Sequence, residues 1–457
     1  MKTLFSKTTL ATASAAMLMA GLAFNAEARI EGIEGAYSTV GATTTATFNL
    51  EVSAVSINTP DGDTFKIWGY GPVGGVPQYP GPTLKIKAGH RVVINLANKL
   101  PNLPNTVPAA PMPVSMVFPG QSGVTATGGT AGLLTAESTG ATDIVTYTID
   151  AANVVPGTYM YHSGTRPGLQ VEMGLVGAMI VYPGSTVDIN NPSQAYDTAD
   201  SAFDHEYLFL LTEMDPTIHY MAEFGLLGQI NNAVTKPVLW FINGRNGPDT
   251  LFADYASYLP NQPYSSLTRM HPGENILMRV VGGGREQHPF HTHGNNYTQI
   301  ARDGRLLTTT GTSADLAFSD YTLVVTPGST HDALFTWTGA GMGWDIYGHG
   351  EAYATEADCL TDPAMTLEPA EDPASHCKKL PVVMPENTTM TFGGFWRGSP
   401  FIGAMGDLPP GEGGLNLNGG MVFMWHSHTE KELANNDIFP GGMLTMLIIE
   451  PHGVPIP

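Results

Sequence analysis

Short runs in which apolar and polar residues alternate recur along most of the chain. They are rich in β-branched and aromatic residues and are mostly bounded by Gly, Pro or Asn, which is typical of the antiparallel strands of a β-sandwich. No helical heptad and no short-period repeat accompanies them, so the pattern predicts an all-β protein. The runs are residues 45–52, 64–70, 83–87, 91–95, 143–149, 158–162, 175–181, 206–212, 238–242, 275–281, 297–301, 321–325, 333–337, 421–425 and 442–450.

A polar connector containing Pro and Asp, at residues 184–205, separates the runs into two groups. We therefore predict two β-sandwich domains, one at residues 36–185 and the other at residues 200–455. The second domain is longer because a Pro-, Asp- and Glu-rich insertion interrupts it at about residues 340–415.

Composition agrees with this fold class and narrows the choice of partners. The 457 residues include 53 Gly and 35 Pro, and only 13% of them are charged, which excludes a coiled coil or a helical solenoid. The formal net charge of −21 argues against nucleic acid or an anionic membrane surface as a partner. A metal ion or a cationic partner is easier to accommodate.

The first 28 residues predict export. Lys2 and Lys7 precede an apolar stretch at residues 8–24, and Ala26 and Ala28 supply the small residues that a signal peptidase requires. No later apolar run reaches the roughly 18 residues that span a bilayer. We therefore expect 1–28 to be a signal peptide and the mature protein to be periplasmic or secreted, without a membrane span.

The chain has two cysteines, Cys359 and Cys377, and both lie in the insertion. In an oxidising compartment they are most simply a disulfide that closes a short loop. A metal–thiolate site is the alternative. Neither cysteine lies beside a histidine-rich strand.

The strongest chemical signal is a pair of histidine-rich segments at residues 288–294 and 425–428, which hold five of the 14 histidines. Side chains alternate along a strand, so His291 and His293 share one face, and His426 and His428 do likewise. Four imidazoles on adjacent strands form a nitrogen-rich pocket suited to copper, zinc or iron.

Other positions extend this prediction or differ from it. His162, in the segment 159–163, is a candidate fifth ligand. His288 and Ser427 have the opposite parity to the paired histidines and are expected to face a different site. Asp345, Tyr347 and His349 are candidates for the mouth of the pocket. The remaining histidines are interpreted as surface or hydrogen-bonded residues, and they include His90, His205, His219, His271, His331, His376 and His452.

Four segments between about residues 36 and 451 resemble the bacterial multicopper oxidases, in particular their two-domain branch. The segments are 79–89 (YPGPTLKIKAG), 157–163 (GTYMYHS), 288–294 (HPFHTHG) and 426–428 (HSH), the last followed by Gly442-Met443. The resemblance implies that both domains are cupredoxin-like Greek-key β-sandwiches. It also implies copper as the cofactor, and an oxidase reaction in which a small molecule or a metal ion is the reductant.

The sequence departs from the family pattern at the type 1 copper, which accepts electrons from the reductant. Ser427 occupies the position of the family's cysteine, and a hydroxyl cannot replace the thiolate as copper ligand and electron path. The second type 1 histidine would fall near Glu432. His288 and Met443 remain as weaker candidate ligands, so we predict no blue copper.

The trinuclear copper cluster of the family is only partly retained. By resemblance, the first histidine motif corresponds to residues 117–120, and the second histidine of the His-Ser-His motif corresponds to Gly164. His291 would be the remaining type 2 ligand, and two type 3 sites would keep two ligands each, His162 with His428 and His293 with His426. Five ligands are expected to hold one or two copper ions, and zinc or iron stays open.

The resemblance has further implications for assembly and activity. In two-domain relatives the cluster forms between subunits around a threefold axis, so the resemblance implies a homotrimer in which a neighbouring subunit supplies His162. The leading hypothesis is a copper-dependent oxidoreductase without a type 1 site. The alternative is a non-catalytic copper carrier or an extracellular structural protein.

Overall fold

The protein was analysed as a computed structural model that describes residues 29–105, 110–184, 188–379, 421–450, 452 and 454–456. The predicted signal peptide and residues 380–420 of the insertion lie outside the described residues. Within the described ranges strand residues far outnumber helical residues, which confirms the predicted all-β fold class.

The strands form two groups along the chain. The first group comprises β1 (Ile33–Glu34), β2 (Ala36–Val40), β3 (Thr43–Asn58), β4 (Thr64–Pro72), β5 (Gly81–Lys87), β6 (Arg91–Asn98), β7 (Thr125–Gly128), β8 (Thr130–Ala131), β9 (Ala136–Glu137), β10 (Val145–Ile149), β11 (Gly157–His162) and β12 (Val176–Tyr182). The second comprises β13 (His205–Met214), β14 (Leu239–Ile242), β15 (Thr268–Met270), β16 (Asn275–Gly282), β17 (His288–Thr292), β18 (Tyr297–Arg302), β19 (Arg305–Leu306), β20 (Phe318–Asp320), β21 (Thr322–Val325), β22 (Thr330–Thr336), β23 (Met421–Ser427) and β24 (Leu444–Ile449).

Each group builds two packed sheets, and β8 and β9 of the first group pair separately as a two-stranded sheet. In the N-terminal half, the sheet β1-β5-β12-β11 faces the sheet β2-β3-β6-β10-β7, to which β4 adds through β3. In the C-terminal half, the sheet β14-β13-β16-β22-β18-β19, with β20 beside β18, faces the sheet β15-β24-β23-β17-β21. Alternating strands bury one face of each sheet in the core of a sandwich.

A separate apolar cluster joins the two halves. Met160 and Ile180, from β11 and β12, pack with Leu210 of β13 and Val281 of β16. The outer face of one N-terminal sheet is therefore covered by a C-terminal sheet, which gives β11 and β12 buried residues on both faces.

Helices are few and short in the described chain. The α-helices are α1 (Pro167–Gln170), α2 (Pro216–Glu223) and α3 (Glu356–Thr361). The 3-10 helices are Ala151–Asn153, Ala199–Ser201, Leu227–Gln229, Asp249–Leu251, His349–Ala352 and Glu430–Leu433. Among the described residues, no helix has the length and apolarity needed to cross a bilayer.

The predicted disulfide is confirmed. Cys359 in α3 is bonded to Cys377, 18 residues later, and both cysteines are fully buried. The bond ties α3 to the end of the described part of the insertion.

Candidate metal centre

The two histidine-rich segments lie on neighbouring strands. β17 pairs antiparallel with β23, and His291 lies directly opposite His426 in this register. Phe290 and Trp425, one step along each strand, belong to the core between the sheets. Because side chains alternate across a strand, His291 and His426 project from the face directed away from that core.

Four histidine rings meet on this face and are called here the four-histidine cluster. The ring centroid of His291 is 4.8 Å from that of His293 and 5.0 Å from that of His428. The ring of His426 lies 5.3 Å from His293 and 5.5 Å from His428. The Nε2 atoms of His293 and His426 are 3.3 Å apart. The cross-strand pairing thus brings both His-x-His segments within reach of one site.

Hydrogen bonds orient two of these rings. Nδ1 of His426 lies 2.6 Å from the carbonyl oxygen of Ser427, which can only accept, so Nδ1 donates and Nε2 keeps its lone pair. Nδ1 of His291 lies 2.7 Å from the hydroxyl of Thr322 on β21. An outer partner of this kind fixes the ring of a histidine whose other nitrogen binds a metal.

The environment favours neutral imidazoles. Burial, followed by the three neighbouring imidazoles, lowers the pKa of His291 to about 3. Burial also lowers the pKa of His426. The side chain of His428, by contrast, is 54% exposed and forms the solvent edge of the cluster. Neutral imidazole is the form that binds metal, so protons do not compete strongly for the buried part of the site.

The donor set fits a transition-metal ion. Four imidazoles of which at least three are buried, in a space of a few ångströms, suit copper and equally zinc or iron. Imidazole nitrogens alone do not distinguish copper from zinc or iron.

His162, the fifth candidate, ends β11 in the N-terminal half. Its Nδ1 lies 2.9 Å from the carbonyl oxygen of Ser163, which leaves the lone pair on Nε2, and burial lowers the pKa of the ring. Within the described part of one chain, the ring pairs that join the four-histidine cluster do not include His162.

Two positions that the sequence resemblance aligns with histidine ligands of the family, Val117 and Gly164, lie against each other beside His162. Val117 forms a bridge with His162 through both backbone hydrogen bonds. A Cβ placed on Gly164 would lie 2.8 Å from Cγ1 of Val117. A larger side chain at Gly164 would therefore require Val117 to move. The side chain of Val117 packs against Gly164, so this space holds apolar atoms.

The other face of the same two strands carries His288 and Ser427, which the sequence resemblance aligns with the type 1 site. Nδ1 of His288 is 2.9 Å from a carboxylate oxygen of Glu432, and its Nε2 is 3.1 Å from a carboxylate oxygen of Glu213. The hydroxyl of Ser427 donates to Glu432 at 2.5 Å. Met443 is buried in the same core, and its carbonyl accepts from the backbone N–H of Ser427.

The two carboxylates decide the protonation state of His288. Burial alone lowers the pKa of His288, but the hydrogen bonds to Glu213 and Glu432 outweigh it and raise the pKa to about 9. At neutral pH both ring nitrogens therefore donate to carboxylates. An imidazolium in this state has no lone pair for a metal.

Sequence reasoning missed Glu213 and Thr322. Glu213 lies in β13, and the backbone N–H groups of Arg285 and Glu286 donate to it. A carboxylate inside the apolar run LFLLTEM was the available signal, because such a group is rarely buried without partners. Thr322 carried no signal before the pairing of β17 with β21 was known.

Asp345 and His349 contact each other, with 2.9 Å between Oδ2 and Nδ1. His349 also lies 3.7 Å from a carboxylate oxygen of Glu371. These contacts form a second polar cluster within the insertion.

Comparisons with known proteins agree with this architecture. The sequence profile of a family described as multicopper oxidase matches residues 51–186. A probable nitrite reductase-hydroxylamine oxidoreductase fusion protein from Kuenenia stuttgartiensis is 27% identical over 268 residues, 57% of this chain. The chain spans only 26% of the length of that relative.

Among solved structures, the multicopper oxidase mgLAC is similar with a TM-score of 0.51 and 17% identity, over 90% of this chain and 88% of that chain. The blue copper oxidase from Nitrosomonas europaea gives a TM-score of 0.49 and 17% identity, over 88% of this chain and 85% of that chain. Residues 51–186 thus match the multicopper oxidase family model, and the chain has a cupredoxin-like fold similar to that of the multicopper oxidase mgLAC.

Proposed function

We propose that this protein is an exported copper-binding oxidoreductase of the multicopper oxidase type, with an altered histidine copper site and without type 1 blue copper. The observation that carries the proposal is the four-histidine cluster, in which two His-x-His segments meet across one strand pair. The fold is that of a family whose members bind copper, which favours copper over zinc and iron.

Copper bound here would supply a one-electron centre that also acts as a Lewis acid. The chain would contribute three functions. His291, His293 and His426 would hold the ion through ring nitrogens. Thr322 would keep the ring of His291 in place. His428, which is more than half exposed, would leave one side of the site accessible to a reductant or an oxidant.

The proposal excludes a type 1 copper because of the groups on the core side of β17 and β23. Ser427 supplies a hydroxyl where a thiolate is needed, and Glu432, where a second histidine is needed, accepts a hydrogen bond from His288. Electrons would then have to enter at the histidine centre itself, from a small molecule or a reduced metal ion.

We also propose a homotrimer in which His162 of one subunit completes the site of another. His162 has its Nε2 lone pair available and does not join the cluster within one chain. The exposed edge at His428 is the side on which a further ligand could be added. Light scattering of the purified protein tests this assembly, and a monomer that binds copper fully would exclude it.

Export is proposed from the leader-like residues 1–28 and from the disulfide. Cys359–Cys377 is of the kind that persists in oxidising compartments. Cell fractionation of the tagged full-length protein checks this, and a cytoplasmic location would contradict it.

Copper loading tests the metal centre. Chelator-treated protein is dialysed against Cu(II), and bound copper is measured per chain for the wild type, His291→Ala and His426→Ala. We expect at least one ion per chain in the wild type and a clear loss in both variants. His90→Ala, which changes a half-buried histidine on the turn before β6, is the matched control. Equal copper content in all four proteins would overturn the site.

A second candidate is a non-catalytic copper carrier, favoured by the carboxylate-bound His288 where the family receives electrons. Oxygen consumption with phenols, Cu(I), Fe(II) or Mn(II) separates the two functions. Nitrite belongs in the same panel as an electron acceptor, because the Kuenenia relative is named a probable nitrite reductase fusion. Turnover that disappears in His291→Ala and His426→Ala supports the oxidoreductase, and copper binding without turnover supports the carrier.

A further inference from the structure

A second group of metal-binding side chains lies in the insertion of the C-terminal half. Asp345, His349, Glu371 and His376 each offer one ligand atom, and these four atoms all lie within 4.8 Å of one another. They come from two segments of chain, residues 345–349 and 371–376, and share none of their residues with the four-histidine cluster. We call them the insertion cluster.

The distances within the insertion cluster match the spacing of donors around a small metal ion. Oδ2 of Asp345 is 2.9 Å from Nδ1 of His349, and Oε1 of Glu371 is 2.9 Å from Nδ1 of His376. Oε1 of Glu371 is also 3.7 Å from Nδ1 of His349. Bonds of 2.0–2.1 Å in tetrahedral geometry separate neighbouring donors by roughly 3.3 Å, which lies between these values.

Backbone groups hold both carboxylates so that one oxygen of each faces the histidines. Oδ1 of Asp345 accepts from the N–H of Tyr347 at 2.8 Å, which leaves Oδ2 directed at His349. Oε2 of Glu371 accepts from the N–H of Glu368 at 2.8 Å, which leaves Oε1 directed at His376 and His349. Outer hydrogen bonds of this kind orient the carboxylate ligands of metal sites.

The surrounding chain is rigid enough to preserve this arrangement. Trp344 and Ile346, on either side of Asp345, are buried in the core of the C-terminal half. Cys377, next to His376, is held by the disulfide, and its N–H donates to Oδ2 of Asp345 at 3.0 Å. The disulfide and the core thus fix the two ends of the cluster.

Charge and burial favour a divalent cation. The carboxylates of Asp345 and Glu371 are 0% and 3% exposed. Their hydrogen bonds raise the pKa of His349 to about 10 in the metal-free protein, so a bound divalent ion would displace this proton and take over the compensation of the two carboxylates. Burying carboxylates is costly unless a positive charge compensates them. His349, whose side chain is 16% exposed, leaves a path from solvent, and the half-exposed Glu368 lies 3.9 Å from its Nε2 on that side.

We propose that Asp345, His349, Glu371 and His376 bind a divalent transition-metal ion of the zinc class, at a site separate from the four-histidine cluster. Two imidazoles and two carboxylates suit zinc, and they are harder donors than the all-imidazole set on β17 and β23. The ion would cross-link the insertion and would not take part in electron transfer. This assignment does not depend on the proposed oxidoreductase function.

Zinc binding by the full-length protein tests the proposal. The background variant His426→Ala/His428→Ala weakens binding at the four-histidine cluster, and chelator-treated protein is then dialysed against zinc chloride. We expect one zinc ion per chain in this background. Adding Glu371→Gln, which keeps the shape of the side chain, or His349→Ala, which changes a partly exposed residue, should weaken binding by about tenfold or more.

His90→Ala in the same background is the control and should retain the zinc. Cobalt(II) gives a second readout, since a site with two nitrogens and two oxygens should show visible d–d absorption that is lost with Glu371→Gln. Near-UV circular dichroism checks that each variant is folded. A folded background variant that binds no zinc, or zinc affinity that is the same with and without Glu371→Gln and His349→Ala, would overturn the site and leave a hydrogen-bonded ion-pair cluster.

Discussion

His288 and His291, three residues apart on β17, differ in protonation state because their side chains lie on opposite faces of the strand and contact different groups. His291 faces other imidazoles, and after burial itself these neighbours lower its pKa to about 3. His288 faces two carboxylates, which raise its pKa to about 9 against the effect of burial. The strand alternation therefore separates a metal-competent imidazole from an imidazolium that acts as a structural cation.

The stability of the metal-free protein should depend on His288 above neutral pH. A pKa raised in the folded state, from 6.5 to about 9, stabilises the fold fully below pH 6.5, and this contribution is lost as pH rises through 9. The shift corresponds to a contribution on the order of 3 kcal/mol. Urea unfolding across this range should show the gap between wild type and His288→Gln shrinking as pH rises. His428→Gln, at an exposed position, is the control, and a gap that does not change with pH would contradict the role of His288.

Restoring the missing thiolate alone should not restore blue copper. In Ser427→Cys, Glu432 still holds the proton of His288 Nδ1, so a cysteine gains no histidine partner. In Ser427→Cys/Glu432→His, His288 Nδ1 is released while Nε2 still donates to Glu213, and two histidines, a cysteine and Met443 are present. We expect an intense blue thiolate–copper absorption only in the double variant. An equally intense band in Ser427→Cys would show that Glu432 does not block the site.

At the level of elements, the alternation of residues along β17 and β23 was enough to predict the face of each histidine. The sequence could also indicate that the paired histidines meet, because two His-x-His units on strands rarely serve separate purposes. It could not give the register that sets His291 opposite His426, since register depends on pairing across more than a hundred residues. The sequence could not predict the contact of His288 with Glu213 either, because Glu213 lies on β13, which belongs to the opposite sheet.

The insertion was less predictable than the strands. Its two cysteines correctly predicted the disulfide, because pairing in a short loop needs only chemistry and sequence distance. The insertion cluster had no periodic pattern, and the sequence interpretation of His376 as an ordinary hydrogen-bonded residue took no account of Asp345, 31 positions earlier. Contacts within irregular segments are hard to predict from sequence, because the residues that form them are not related by the two-residue period of a strand or the 3.6-residue period of a helix.

Removal of the disulfide should act locally. Cys359→Ala/Cys377→Ala opens a loop of about 19 residues and should lower stability by about 3 kcal/mol in the chain-entropy description. Hydrogen exchange should show lost protection at residues 345–377, where Cys377, bonded to Cys359, donates its N–H to Asp345. Amides of β17 and β23 should keep theirs, because sheet pairing and the core hold these strands. Equal loss of protection in β17 and β23 would mean that the insertion supports the four-histidine cluster directly.

For the molecule as a whole, the contact between the two halves combines an apolar cluster with a buried ionic network. Arg279 on β16 is fully buried, with Nε 2.8 Å from Glu206 and Nη1 3.6 Å from Asp332. The N-terminal half contributes Thr158, which accepts from Arg279 at 3.0 Å, and Tyr182, whose hydroxyl donates to Glu206 at 2.6 Å. The network therefore ties β11 and β12 to β16 and positions His162, at the end of β11, relative to the C-terminal half.

Arg279→Met should test how strongly this network holds the halves together. The methionine fills part of the space but leaves two carboxylates buried without their cation, which costs about 3–5 kcal/mol when one partner of a buried pair is removed. Urea unfolding measures this cost, with Arg302→Met as the control. The side chain of Arg302 is 51% exposed and its ion pair with Asp303 is long, at 3.7 Å, so the change should stay within about 0.5 kcal/mol.

Unfolding of Arg279→Met should also become less cooperative, because the N-terminal half loses its polar attachment while the apolar cluster remains. If both variants have the same stability as the wild type, the apolar cluster alone joins the halves, and the buried charges compensate one another without adding to the free energy of unfolding.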